Sequence, residues 1–153
     1  MSAETVFTAM DALLIPDAIP AANRHVWWPE SFNAYPALVY SLNKPSVERR
    51  VANGKKQQYH WIEIDLLLPT KLAGGQQNAV VKIRTWVKAI REAIHTNRQL
   101  TVDGVEQVRV CGEMPNGEGI EDFAGIETLS QNAGDVLARG FMVIPVQDNW
   151  EDG

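Results

Sequence analysis

Glu63 and Asp65 stand two residues apart in the run Tyr59-His60-Trp61-Ile62-Glu63-Ile64-Asp65-Leu66-Leu67-Leu68. On a β-strand that spacing puts both carboxylates on one face, because successive side chains point to opposite sides. Paired carboxylates suit acid–base work, as in a small hydrolase, when an enclosed, water-poor pocket drives their pKa values apart. The surrounding sequence supplies no such enclosure, so the pair is expected on a strand exterior, solvated or facing an interface. His25, His60 and His95 lack the short spacings of a zinc motif, and Cys111 is the only cysteine, so neither a metal site nor a disulfide is expected. Cys111 has no Gly-x-Ser-x-Gly-like setting that would activate a nucleophile and reads as a small core residue. The stretch Gly112-Glu113-Met114-Pro115-Asn116-Gly117-Glu118-Gly119 is rich in glycine, but it lacks the Lys-Ser/Thr pair of a phosphate loop and carries two acids that would repel a phosphate. No catalytic residue and no cofactor is therefore expected.

These residues need elements to position them. Residues 59–68 alternate like one arm of a hairpin, with His60, Ile62, Ile64, Leu66 and Leu68 inward and Tyr59, Trp61, Glu63 and Asp65 outward. Asn53-Gly54 provides the turn, since both residues accept the positive φ angles of a type I′ hairpin, and the return strand is predicted over 57–68. The preceding strand is predicted over 36–42, with Lys44 and Pro45 interrupting its pairing. A short aromatic strand covers 24–28. Val6, Met10, Leu13 and Leu14 give a short helix over 3–14 with Ser2 as N-cap. Ile83, Trp86, Val87, Ile90 and Ile94 give a long amphipathic helix over 78–95. Residues 69–77 read as a flexible connection, 105–112 as a strand after an Asp103-Gly104 turn, 113–135 as a long loop, and 136–147 as a closing strand ended or edged by Pro145. An acidic tail is expected at 148–153. The expected fold is thus one α+β domain over 1–153, a mainly antiparallel sheet of four to five strands backed by one long and one short helix. The face bearing Tyr59 and Trp61 is expected to stay open.

The chain has 153 residues and a net charge of −5, with 45% hydrophobic residues, as in an ordinary globular domain. Residues 1–110 carry 13 bases and 10 acids, whereas 111–153 carry one base and nine acids. That asymmetry favours head-to-tail contacts between copies and weighs against a general nucleic-acid binder. Arg49, Arg50, Lys55 and Lys56 flank the hairpin turn, where they protect an edge from aggregation or meet an acidic partner. Tyr59 and Trp61 beside them also suit single-strand stacking, so a small nucleic-acid-binding accessory protein is the alternative reading. Five tryptophans are many for this length and point to subunit contacts. No apolar run reaches membrane-spanning length, and the N-terminus does not read as a secretory signal, so synthesis in the cytoplasm is expected.

Val26-Trp27-Trp28-Pro29 followed by Tyr35-Pro36-Ala37-Leu38-Val39-Tyr40 resembles the opening of small tail-terminator and tail-completion (neck) proteins of tailed phages. The hairpin arm with Ile62-Glu63-Ile64-Asp65, the glycine-bearing gap, the helix around Val87-Lys88-Ala89-Ile90 and the last apolar strand follow the same order. The resemblance covers roughly residues 4–147. It implies a virion structural protein without enzymatic activity, assembled in the host cytoplasm, whose copies form a ring, usually a hexamer. Such a ring caps the tail tube, meets head-tail connector proteins and lets DNA pass through its lumen. On that reading Arg49, Arg50, Lys55 and Lys56 face a neighbouring subunit or the lumen, and Tyr59 and Trp61 anchor the contact. The long 113–135 segment and the tryptophan content depart from the family pattern.

Overall fold

The computed structural model describes residues 3–14, 18–50, 55–96, 99–102, 105–110, 121–128 and 136–151, and side chains at 4, 6–12, 18–48, 58–96 and 136–147. Helix α1 spans Ala3–Leu14 and strand β1 spans Arg24–Val26, preceded by a 3-10 turn at Ala21–Asn23. Strands β2 (Ala37–Arg50) and β3 (Lys55–Pro69) form the hairpin, followed by α2 (Thr70–Ala73) and the long α3 (Gln76–Thr96). Four more strands complete the chain: β4 (Gln99–Val102), β5 (Val105–Val110), β6 (Glu121–Thr128) and β7 (Val136–Glu151).

β1, β2, β3 and β7 make a mixed four-stranded centre, with β1 parallel to β2 and the other pairs antiparallel. β7 pairs along its far side with β6 through residues 136–143 and with β5 through 146–148, and β4 pairs with β5. The α+β class expected from the sequence holds, with more strands than the four to five expected. β6 lies inside the stretch read as loop, because Glu121, Asp122 and the small residues around them mask a strand that, among the described residues, pairs with β7 alone. β7 is an interior strand, not an edge. Its Pro145 falls between the residues paired with β6 and those paired with β5, where that side of β7 carries no ladder among the described residues. The strand also continues to Glu151, opposite Lys55, where a frayed tail was expected. Lys44 and Pro45 do not end β2; they mark register shifts between Leu42 and Val47, after which pairing with β3 resumes. The Asn53-Gly54 and Asp103-Gly104 turns, Ser2, Cys111 and the 112–119 glycine stretch lie outside the described residues.

The inward set on β3 behaves as its alternation requires. Ile62, Ile64, Leu66 and Leu68 join Leu38, Tyr40, Met142, Ile144 and Val146 beneath α1 and α3. The stripe Ala79, Ile83, Val87, Ile90 and Ile94 of α3 is buried against them, while Lys82, Arg84 and Lys88 on its other side are exposed. A polar corner fixes α1 to the sheet. The Tyr40 hydroxyl donates to Asp11 Oδ1 at 2.5 Å, and Arg24 pairs with Asp11 Oδ2 at 3.2 Å while its Nε donates to the Ile19 carbonyl at 3.0 Å. Burial, with Asp11 beside it, pushes the Tyr40 hydroxyl well above its ordinary pKa, so it stays a donor at any working pH. Tyr40→Phe is expected to cost about 1.5–3 kcal/mol, the range for a bond to a charged acceptor, measured by urea unfolding at neutral pH.

The connection at 69–77 is ordered rather than flexible. Gly74 ends α2 at φ 85°, a left-handed conformation, and Gly75 N–H donates back to the Thr70 carbonyl at 2.9 Å. A Cβ at position 74 would meet only Asn78 Nδ2, at an ordinary 3.5 Å, so backbone strain alone sets the penalty. Gly74→Ala is therefore expected to cost about 1 kcal/mol, read as a lower denaturation midpoint with an unchanged slope.

Candidate assembly surface

The hairpin arm runs past Ile62 and Val146, the last strand residues of the main core in that direction. Its distal end carries all four of the basic residues singled out from the sequence: Arg49 stands opposite Gln57, Arg50 opposite Lys56, and Lys55 opposite Glu151. Their side chains lie outside the described residues. The register alone shows that the acidic C-terminal end runs beside the basic hairpin of its own chain, which tempers the expectation that this acidity is reserved for another copy.

Tyr59 and Trp61 share the outer face, as the alternation requires, but they are not open to solvent. They are 8% and 7% exposed and pack with Val143 and the half-buried Phe141. Lys44 Nζ sits 4.9 Å from the Trp61 ring centroid, and the Arg139 guanidinium lies 5.5 Å from that of Phe141, so two cationic stems close over the aromatic layer. A second outer cluster, Ala37, Leu67 and Leu137 with Phe32 and Tyr35, covers the other end. The expectation of a free outer face is corrected for these two residues. Sequence alternation assigns a face, but whether that face is wet depends on bulky neighbours arriving from β7 and the 27–36 loop.

The carboxylate pair is also drier than expected. Asp65 is fully buried, and Arg139 from β7 brings both Nε and Nη2 to its Oδ1 at 2.7 Å, with Glu63 Oε2 3.8 Å from the same Nη2. Asn43 donates to Glu63 Oε1 at 3.1 Å. Among the described residues no donor reaches Asp65 Oδ2. Burial pushes the Asp65 carboxyl up to about 8, the hydrogen bond it gives to Glu63 adds to the rise, and Arg139 opposes it. The same shared proton, with help from Asn43, holds Glu63 below its ordinary value despite partial burial. The two carboxyls thus have the separated pKa values an acid–base pair would need. Asp65, however, exposes no surface to a substrate, and the arrangement is a cross-strand clamp between β3 and β7. It corrects the solvated-pair expectation, and Arg139, its organiser, carried no local signal in the sequence 74 residues away.

His60 lies inward and 1% exposed, its Nδ1 2.6 Å from Ser46 Oγ across the β2 irregularity, which answers the expectation of an inward imidazole. His95 sits in the last turn of α3. Among the described residues no group of three or more His, Cys, Asp or Glu is placed to hold a metal ion, and no helix is long and apolar enough to cross a membrane.

A further apolar feature sits where β1 stops. Val26, Trp27 and Trp28 are 48%, 39% and 48% exposed, and Trp27 adopts φ 66°, a conformation that non-glycine residues rarely take. Its ring is held edge-on to Phe7 at 5.3 Å, and its indole N–H donates to Glu4 Oε1 at 3.2 Å. The sequence marks this segment as a short aromatic strand; the turn of the backbone at Trp27 is what leaves both indoles at the surface. Compared with family models and with curated proteins, the chain matches none.

Proposed function

We propose that this chain is a non-enzymatic virion assembly protein of the tail-terminator or neck type, which works by forming a homo-oligomeric ring on the end of a tail tube. The observation that supports the reading best is the long arm of β2, β3 and β7, strands of 14, 15 and 16 residues that run on beyond the helix-backed core. Strands that long span about 45 Å, and they carry Arg49, Arg50, Lys55 and Lys56 at the distal end. Strands that continue past the last described residues of the main core extend the sheet on which a partner could pack. The exposed Trp27 and Trp28 corner offers a second contact of the kind that dominates protein interfaces. In this reading the partners are further copies of the chain, the tube protein on one annular face and connector proteins on the other, with the basic arm toward a neighbour or a DNA-filled lumen.

The test is the particle formed by the purified chain alone and with tube protein, examined by sedimentation and negative-stain electron microscopy. A closed ring, free or on tube ends, is expected. A species that stays monomeric at high concentration and ignores tube ends overturns the proposal, and salt-sensitive DNA retardation by such a monomer would instead favour the accessory nucleic-acid binder.

A further inference from the structure

Among the described residues β1, β4 and β6 each pair on one side only; β6 lies along β7 at residues 136–143, and the two edges at the opposite ends of the strand order are those of β1–β2 and β4. On one side, β1 covers β2 through Leu38, Val39 and Tyr40, and over residues 41–50 the pairings are all with β3. On the other, β4 pairs with β5 alone. The register places these edges at the same height. Val47 stands opposite Tyr59, Tyr59 opposite Gln147, Gln147 opposite Arg109, and Arg109 opposite Gln99. The next row runs Glu48, Gln58, Asp148, Val108 and Leu100. Both rows therefore cross five strands from one edge to the other.

Direction matches as well as height. β3 is antiparallel to β2, β7 to β3, β5 to β7 and β4 to β5, so β4 and β2 run the same way. A rotation about an axis along the strands then carries β4 of one copy onto the outer side of β2 in the next without reversing either. Length matches too: β4 has four residues, and residues 47–50 form the four-residue stretch of β2 beyond its irregularity. Val47 on that stretch is 49% exposed, an apolar side chain at an edge that soluble proteins usually protect. Within the chain, β1 already shows that the outer side of β2 accepts a parallel strand.

We propose that copies join head to tail by β-strand addition, β4 of one copy pairing in parallel with residues 47–50 of β2 in the next. The occupant of each edge is a second copy of this chain, because the chain itself carries both halves of the joint at one height and in one direction. Such a contact is heterologous and closes into a ring when the rotation divides a full turn; main-chain hydrogen bonds supply its affinity. Each copy then adds five strands, about 24 Å of circumference at ~4.8 Å per strand. The inference rests on the ring reading above and names the joint that reading leaves open.

Hydrogen exchange by mass spectrometry, followed from dilute to concentrated protein beside native mass measurements, tests both separately. Assembly accompanied by slowed exchange in peptides covering residues 47–50 and 99–102 together is the expected result. Assembly into a larger particle with slowed exchange in neither segment, or in only one of them, overturns the joint and leaves the ring standing; assembly that stops at a dimer overturns both. No assembly at any concentration, with or without tube ends, overturns the ring itself. In a Cys111→Ser background, Val47→Cys copies mixed with Gln99→Cys copies are expected to cross-link to each other under oxidation. Cross-linking of Val47→Cys copies among themselves overturns the head-to-tail arrangement.

Discussion

Trp61→Ala is expected to destabilise the isolated chain by about 3–5 kcal/mol, the range for truncating a buried aromatic. The alternation of residues 59–68 puts Trp61 on the outer face, and an exposed indole there would cost under about 0.5 kcal/mol on truncation. The fold makes the difference. At 7% exposure, against Tyr59, Val143 and Phe141 and beneath Lys44, the ring is an interior group of the single copy. Trp61→Phe serves as the control. The buried indole N–H has no acceptor among the described residues, so removing it forfeits no bond and the variant should lie within about 1.5 kcal/mol of the parent. Urea melts on dilute, unassembled protein decide the matter. If the alanine variant kept parental stability and lost only ring formation, Trp61 would be an interface anchor and the packing described above would not hold it.

Asp65→Asn is expected to remove a pH dependence that the parent shows between about pH 4 and pH 8. The folded-state pKa of Asp65, about 8, lies above the value of roughly 3.9 in an unfolded chain. The native protein therefore keeps a proton that the unfolded chain has released. The stability linked to that proton is complete below about pH 4 and drains as pH rises toward 8. Glu63 runs the other way: its depressed pKa contributes stability at neutral pH that is lost only as the solution becomes acidic. The parent should thus be most stable near pH 5 and decline toward pH 8. Asparagine keeps an oxygen for Arg139 and offers a permanent donor to Glu63 where the acid needs a proton. The variant should melt close to the parent at pH 5 and about 7 °C or more above it at pH 8, since the linkage amounts to about 3–4 kcal/mol over that range and 1 kcal/mol moves the midpoint by about 2–4 °C in a chain of this size. Parallel melting profiles for the two proteins from pH 5 to pH 8 would show that Asp65 is ionised in the native state.

Much of the scaffold is legible in residue order because it rests on local periodicity. The 3.6-residue stripe of α3 appears within a turn of its predicted limits, at Gln76–Thr96. The two-residue alternation of β3 correctly divides its inward residues from its outward ones. The α+β class follows from those two patterns. What the order of residues missed was long-range. β6 carries charged and small residues and becomes a strand because β7 offers it an unoccupied side. Pro145 reads as a strand's end until β6 and β5 are seen to divide that side between them. Residues 69–77 read as flexible because a four-residue helix capped by Gly74 leaves no periodic signal.

The same division runs through the surface features. Sequence by itself determined which residues share a face: Glu63 and Asp65 together, Tyr59 and Trp61 together, and the basic residues gathered about one turn, since strand geometry is a property of neighbours along the chain. Tertiary structure alone decided how wet each face is. Arg139 reaches Asp65 from 74 positions away and Lys44 closes over Trp61 from the adjoining strand, so burial and proton affinity depend on cross-strand register. The equal height of the β2 and β4 edges is likewise a sum of four pairings, two of which, β3 with β7 and β5 with β7, are set where distant segments meet. No local pattern encodes such a sum, because a turn can set the register only of the two hairpins, and the pairings of β7 with β3 and β5 depend on which faces the folded sheet buries.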